Sequence, residues 1–368
     1  MTINYQTRLT ELVNNVKENS LDIAMITTPA NVFYYTGFNS DPHERFMALV
    51  VDILNDQTIL FAPALDKEIA QENSFIKDIV PISDEEDPYA KLQEKLGGNI
   101  VRFGLEMKQV SMFQHQCLAS IFPNAQYEDI QPFVNNQRLK KSRSELAYTK
   151  KAITIIEKVM TEGIKKVTTG MSELEFAAEL EYLMKQFGAE GPSFSTIVLS
   201  GEKTALPHGT PGNRAFQKGD FLLIDMGVRI TEGYCSDITR TFIIGDASER
   251  QKEIYEIVRQ SALAGIQAVK ADVPLKTFDI AARNVIKENG YGKYFNNRVG
   301  HGLGIEVHEE PSIHENNEQI AENGLFFTIE PGIYIPNYGG VRIEDNVYIN
   351  EQGKGEVLTG FQRDLQIL

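Results

Sequence analysis

Leu9, Leu12, Val13 and Val16 recur at helical spacing near the start of the chain and predict an amphipathic opening helix. Apolar runs at residues 22–28, 46–53, 57–61, 76–80 and 101–105 read as short strands. Helical patterns lie among them at residues 65–71, 88–96 and 110–121. Strands alternating with helices predict an α/β domain on a mixed sheet. A basic polar stretch follows, with Arg138, Lys140, Lys141, Ser142, Arg143 and Ser144. It is expected to be a linker at 137–144 between a first domain at 1–136 and a second at 145–368.

The second domain has a different rhythm. A long helix is expected from Ser144, as its N-cap, to about residue 166. Another begins at Ser172, which stands at capping-box spacing from Glu175. Further helices fit residues 249–270 and 275–289, and strands fit 196–199, 221–228, 234–244, 324–329 and 341–349. The sum is an antiparallel sheet covered by helices, an α+β arrangement. The acidic run at 84–87 reads as a solvated loop.

A length of 368 residues suits two cores rather than one. The net charge of −15 argues against nucleic acid and anionic membrane as partners. Neither Cys117 nor Cys235 sits in a CxxC pair, so a reducing compartment is expected. Residues 1–16 lack the basic start and apolar block of a secretory signal, and no apolar run approaches the roughly 20 residues of a membrane span. These features predict a cytoplasmic protein.

The chemistry lies in carboxylates set in apolar strands. Asp225 interrupts Leu222-Leu223-Ile224-Asp225-Met226-Gly227, and Asp237 lies in the partner strand that starts at Tyr234. A hairpin centred on Thr231 would set the two aspartates directly opposite, where like charges destabilise a sheet unless a cation lies between them. Glu330 ends the run Phe326-Phe327-Thr328-Ile329, and Glu344 follows Val341-Arg342-Ile343. By period two Arg342 and Glu344 share a face, and a plain ion pair between them is the simpler reading. His301 stands between Gly300 and Gly302, glycines that would let the backbone approach a ligand, and His308 follows seven positions later. A phosphate loop is disfavoured there, because no Lys-Ser/Thr follows. Four buried carboxylates and one imidazole are prohibitively costly together unless cations join them. Two divalent ions balance the four negative charges, and oxygen-rich ligation with one imidazole suits Mn, Co or Zn.

These residues resemble the clan that holds methionine aminopeptidase, proline dipeptidase (prolidase) and aminopeptidase P. The motifs are Pro207-His208-Gly209, Asp225-x-Gly227, Ser236-Asp237-x-Thr239-Arg240-Thr241, Gly300-His301-Gly302-x-Gly304, His308-Glu309, Glu330-Pro331-Gly332 and Arg342-x-Glu344. Asp22-Ile23-Ala24 and Thr28-Pro29-x-Asn31-x-x-Tyr34-x-Thr36-Gly37 resemble the creatinase-type first domain. The resemblance implies a pita-bread catalytic domain that cleaves Xaa-Pro bonds with two divalent metal ions, Mn foremost. Asp225 would chelate one ion, Asp237 and Glu344 bridge both, and His301 and Glu330 hold the other. Glu330 would also shuttle the proton of the attacking water. His208 and His308 would line the substrate site, with His308 stabilising the tetrahedral intermediate. Phe194 would form the proline pocket, Arg342 would contact substrate, and Thr239 would support the metal region. Proline-containing peptides are the implied partners, and a homodimer is expected. The rivals are an aminopeptidase acting on longer peptides, a methionine aminopeptidase, for which the first domain is unusual, and a non-catalytic peptide-binding protein.

Two positions depart from the family pattern. Asp225 and Asp237 stand one residue further apart than usual, and the extra residue is expected at the hairpin tip, within 230–233. Ser312 stands where many proline dipeptidases carry an arginine for the dipeptide carboxylate. This leaves longer substrates open.

Overall fold

The computed structural model describes residues 2–368, and the chain divides into two compact units at residues 137 and 138. In the first unit, α1 (Tyr5–Glu18) turns Leu9, Leu12 and Val16 inward, and Asn4 caps it by accepting from Thr7 N. The sheet holds β1 (Ile23–Ile26), β2 (Ala48–Asp52), β3 (Gln57–Pro63), β4 (Asp78–Ile82), β5 (Arg102–Leu105) and β6 (Gln126–Asp129), in the order β4-β3-β2-β1-β5-β6. β1 runs antiparallel to β2 and parallel to β5, so the sheet is mixed, as expected. The helices α2 (Pro29–Thr36), α3 (Lys67–Asn73), α4 (Pro88–Leu96), α5 (Met112–Ile121) and α6 (Gln131–Leu139) join these strands. Neither α2 nor α6 is predicted by periodicity. In α2 every residue from Asn31 to Thr36 is buried, so no polar face marks it.

The segment at 137–144 differs from the solvated linker that its polarity suggests. α6 runs to Leu139, Arg138 and Lys141 are buried, and Ser142 rather than Ser144 caps the next helix.

In the second unit, α7 (Arg143–Gly163) starts from a capping box of Ser142 and Glu145, and α8 (Glu173–Gln186) from the expected Ser172 and Glu175. The strands are β7 (Gly191–Pro192), β8 (Ile197–Ser200), β9 (Phe221–Met226), β10 (Val228–Arg229), β11 (Ile238–Ile243), β12 (Gly300–Gly302), β13 (Glu309–Ile313), β14 (Phe326–Ile329), β15 (Gly332–Ile335), β16 (Gly339–Arg342), β17 (Asp345–Ile349) and β18 (Gly355–Val357). They form sheets β11-β9-β8 and β13-β12-β14-β17-β18 with the pairs β10-β7 and β15-β16, and every pairing among them is antiparallel. Helices α9 (Glu249–Ala268) and α10 (Lys276–Glu288) pack together, Ser261 Oγ donating to Ala282 O at 2.7 Å, and Phe278 of α10 stacks on Phe327 of β14. Burying such a ring contributes about 1.5–3 kcal/mol.

Two expectations about the strands need correction. Thr239, not Asp237, stands opposite Asp225. The hairpin centres on Glu232: Ile230 N donates to Tyr234 O, Gly233 N donates to Ile230 O, and Gly233 has φ +81°. The tip thus closes in a turn that needs a left-handed glycine. The partner shifts by two positions, so Asp225 and Asp237 keep the same face as diagonal neighbours. The run at 341–349 is likewise two strands, not one. β16 pairs with β15 and β17 with β14, and Glu344 lies where the chain passes between sheets.

Candidate metal centre

Asp225 lies on β9, Asp237 just before β11, His301 on β12, Glu330 just after β14, and Glu344 between β16 and β17. All five line one cleft of about 1050 Å³ in the second unit, together with Phe194, His208, His308 and Arg342. The structure thus brings together every candidate position except Thr239, which lies buried beneath the cleft floor. The glycines around His301 let neighbouring strands approach, which corrects their reading as ligand-contacting positions. A Cβ on Gly300 would overlap the Thr328 carbonyl, and one on Gly302 the Glu310 carbonyl. β12 is drawn tight against β14 and β13, and His301 is fixed between them.

Donor atoms of Asp237, His301 and Glu344 all lie within 4.8 Å of one another. His301 Nε2 is 3.2 Å from Glu330 Oε1 and 3.7 Å from Asp237 Oδ2. Its Nδ1 sits 3.1 Å from the Gly302 carbonyl. Without an ion, an Nε2–H can donate to Glu330 Oε1; with one bound, the proton would sit on Nδ1, donated to the Gly302 carbonyl, and the Nε2 lone pair would face the ion.

Asp225 Oδ1, Asp237 Oδ1 and Glu344 Oε1 are buried without a hydrogen-bond partner. Burial, then the nearby carboxylates, pushes Asp237 and Glu344 well above the ordinary range. Burial also raises Asp225, although Arg342 opposes it. Glu330 goes the other way: burial would raise it, but hydrogen bonding and attraction to His301 and the charge of Arg342 hold it low. Three orphaned carboxylate oxygens beside an imidazole fit divalent cations, which would satisfy those oxygens.

Arg342 does not pair with Glu344, which corrects the simpler reading of their shared face. Its guanidinium bonds Asp225 Oδ2, the Thr239 hydroxyl at 3.0 Å and the Tyr334 hydroxyl at 2.9 Å. Thr239 Oγ1 in turn donates to Glu344 Oε2 at 2.8 Å. His308 meets His301 edge to face, with centroids 4.3 Å apart. Partial desolvation, then His301 and Arg298, lowers its pKa to about 4, so its imidazole is neutral at pH 7.

Sequence reasoning assigned nothing to four residues of this region. Tyr334 lines the cleft and holds Arg342. Asn297 and Arg298 line it beside His308. Glu173 is fully buried and accepts from Ser200 N, Ser200 Oγ, Lys203 and Gly212 N. It clasps both ends of the loop that carries His208. In sequence it is only an acid in the first turn of a helix.

Residues 147–351 match metallopeptidase family M24, and residues 8–140 match the Creatinase/Prolidase N-terminal domain. An uncharacterized peptidase of Staphylococcus aureus is 37% identical over 357 residues, covering 97% of this chain and 100% of that protein. The prolidase from Pyrococcus furiosus superposes with a TM-score of 0.87 at 37% identity, covering 95% of this chain and 99% of that one. A prolidase from Thermococcus sibiricus gives a TM-score of 0.92 at 35% identity, with both chains covered completely. From its motifs, its two folded units and these likenesses, the chain belongs to metallopeptidase family M24 and carries that family's Creatinase/Prolidase N-terminal domain.

Proposed function

We propose that this protein hydrolyses Xaa-Pro dipeptides, using water activated at a pair of divalent cations. The observation that carries the reading is the convergence of donor atoms of Asp237, His301 and Glu344 within 4.8 Å of one another, in a cleft where buried oxygens of Asp225, Asp237 and Glu344 have no hydrogen-bond partner. Asp225, Asp237, His301, Glu330 and Glu344 would hold the ions. What the ions supply when bound is a nucleophile from water at neutral pH. The remaining tasks fall to the chain itself. Glu330, ionised at neutral pH, accepts the proton of the attacking water and passes it to the leaving nitrogen. His308 offers an N–H to the developing oxyanion, a contact of the kind worth about 2.7–4 kcal/mol. His208 stands on the cleft wall as a second donor. Phe194, half-buried on the same wall, packs against the proline ring. A dedicated pocket is needed because the Xaa-Pro amide has no N–H and a fixed shape.

The dipeptide reading must answer for Ser312. Arg298 reaches the same place from the neighbouring strand side, its Nη1 donating to Ser312 Oγ at 3.2 Å. Its guanidinium lines the cleft and supplies the cation that a dipeptide carboxylate requires. An aminopeptidase acting on longer Xaa-Pro peptides is the second reading, favoured by the absence of an arginine at 312 itself. Manganese is the first ion to test, followed by cobalt and zinc. A cytoplasmic homodimer completes the proposal, and its mass in solution is read by light scattering.

The deciding experiment refills metal-stripped protein with each ion and offers Xaa-Pro dipeptides, Xaa-Pro tripeptides and Met-Ala peptides. Metal-dependent cleavage of the dipeptides is expected. Preference for the tripeptides selects the second reading, cleavage of Met-Ala alone overturns both, and inactivity with every ion leaves a peptide-binding protein.

A further inference from the structure

Glu309 follows His308 in a quoted motif, yet no task falls to it in the reaction above. Its carboxylate is the centre of a buried ion cluster. The Glu309 side chain is 5% exposed, that of Lys141 2% and that of Arg138 8%. Oε1 accepts from Arg138 and from Glu306 N at 3.0 Å, and Oε2 accepts from Lys141 Nζ at 2.7 Å. Lys141 also donates to the Arg138 carbonyl. Gly304 makes room for the cluster: a Cβ there would stand 2.9 Å from Glu309 Oε2 and 3.0 Å from Lys141 Cε. Burial works against the charge of Glu309, but Arg138 and Lys141 outweigh it and hold the carboxyl down at about 2. Both oxygens are thus gripped from opposite sides.

His308 is the opposite case. Among the described residues nothing hydrogen-bonds its ring, which rests edge-on against His301 and is otherwise open to the cleft. An imidazole with no polar tether takes its aim from its backbone, and the next residue along that backbone is the clamped one. We propose that Glu309 is a positioning residue: gripped by Arg138 and Lys141, its carboxylate fixes the backbone that aims the His308 imidazole at the reacting carbonyl. The inference rests on the role given to His308 above. It assigns a purpose to Arg138 and Lys141, whose sequence neighbourhood looks like a tether.

A purely structural cluster and a positioning cluster differ in one readout. If Glu309 acts through His308, its loss has no further effect once His308 is gone. The experiment is a double-mutant cycle of Glu309→Gln and His308→Ala in the full-length, metal-loaded protein, run on the substrate it cleaves fastest. Glu309→Gln is expected to lower kcat about tenfold or more, as small misplacements of a reacting group do. KM and bound metal should stay within about threefold of wild type. Adding it to His308→Ala should change kcat less than about twofold. Losses that multiply, or a wild-type kcat in Glu309→Gln, overturn the proposal. Should Glu309→Gln fail to fold, the cycle is repeated in Lys141→Met, where one of the two stranded cations is absent and Arg138 keeps its ion pair with Glu306. A second readout needs no turnover. The His308 ring resonance, identified by its disappearance in His308→Ala, should move or broaden in Glu309→Gln; an unchanged resonance refutes the coupling. Failure of the Xaa-Pro reading shows instead as wild-type protein that cleaves a different peptide class.

Discussion

Replacing Arg342 with methionine removes a buried cation at nearly constant volume. The residue is 3% exposed, and its guanidinium bonds Asp225, Thr239 and Tyr334. In ion-free protein Asp225 would then face Glu330, Asp237 and Glu344 with no counter-charge. Removing one partner of a buried ion pair costs about 3–5 kcal/mol. The two neutral contacts add about 1 kcal/mol each, part of it recovered by relaxation. We expect a loss of roughly 4–6 kcal/mol in EDTA-treated protein near pH 8, lowering Tm by about 10 °C or more. The pH dependence has a definite sign. Burial already raises the Asp225 carboxyl, and loss of Arg342 removes the attraction that opposes burial. A carboxyl with a higher pKa folded than unfolded holds its proton more tightly in the folded state. Its contribution is therefore intact below the unfolded value of about 4 and fades as pH rises through the folded one. The gap between variant and wild type should narrow on acidification and widen toward alkaline pH. Saturating manganese should narrow it as well, because the ion replaces the missing positive charge. Melting curves followed by circular dichroism at two pH values, with and without manganese, test all three statements. A loss indifferent to both pH and metal would refute the account of Asp225 as an uncompensated charge.

Glu330→Gln should keep most of its bound metal, measured by elemental analysis, while kcat falls by about two orders of magnitude or more, the usual size of a lost acid–base group. Arg298→Leu should raise KM for Xaa-Pro dipeptides by about tenfold or more, the order expected for a lost charged hydrogen bond, and change tripeptide kinetics little. Gly300→Ala forces a methyl into the Thr328 carbonyl, so β12 must separate from β14. A destabilisation of about 1–3 kcal/mol or more in urea melts is expected, with weaker metal uptake.

What could be read from the chain depended on the length over which each signal acts. Local signals were legible: the capping box at Ser172 and Glu175, the inward stripe of α1 and the strand character of residues 221–226 all depend on neighbours. The proposed donors stood out because an isolated carboxylate in an apolar strand is costly wherever the strand lies. The register of β9 against β11 was missed by two residues, because Ile230–Gly233 closes one position later than the spacing suggested. β12 escaped because Gly-His-Gly has no strand propensity; only close packing against Thr328 and Glu310 makes it one. The break at Glu344 was hidden by continuous apolar alternation on both sides of it. The tie from Arg138 and Lys141 to Glu309 spans most of the second unit, and nothing local marks such a partnership.

The proposed donors are scattered from Asp225 to Glu344 along β9, β11, β12, β14 and the passage from β16 to β17. No short stretch of polypeptide holds a useful subset, so an emerging chain at the ribosome has nothing with which to trap an ion. Loading must follow folding. The occupant is then chosen by a finished cavity sampling whatever cations surround it, and recombinant preparations from differently supplemented media should differ in metal content while sharing one fold.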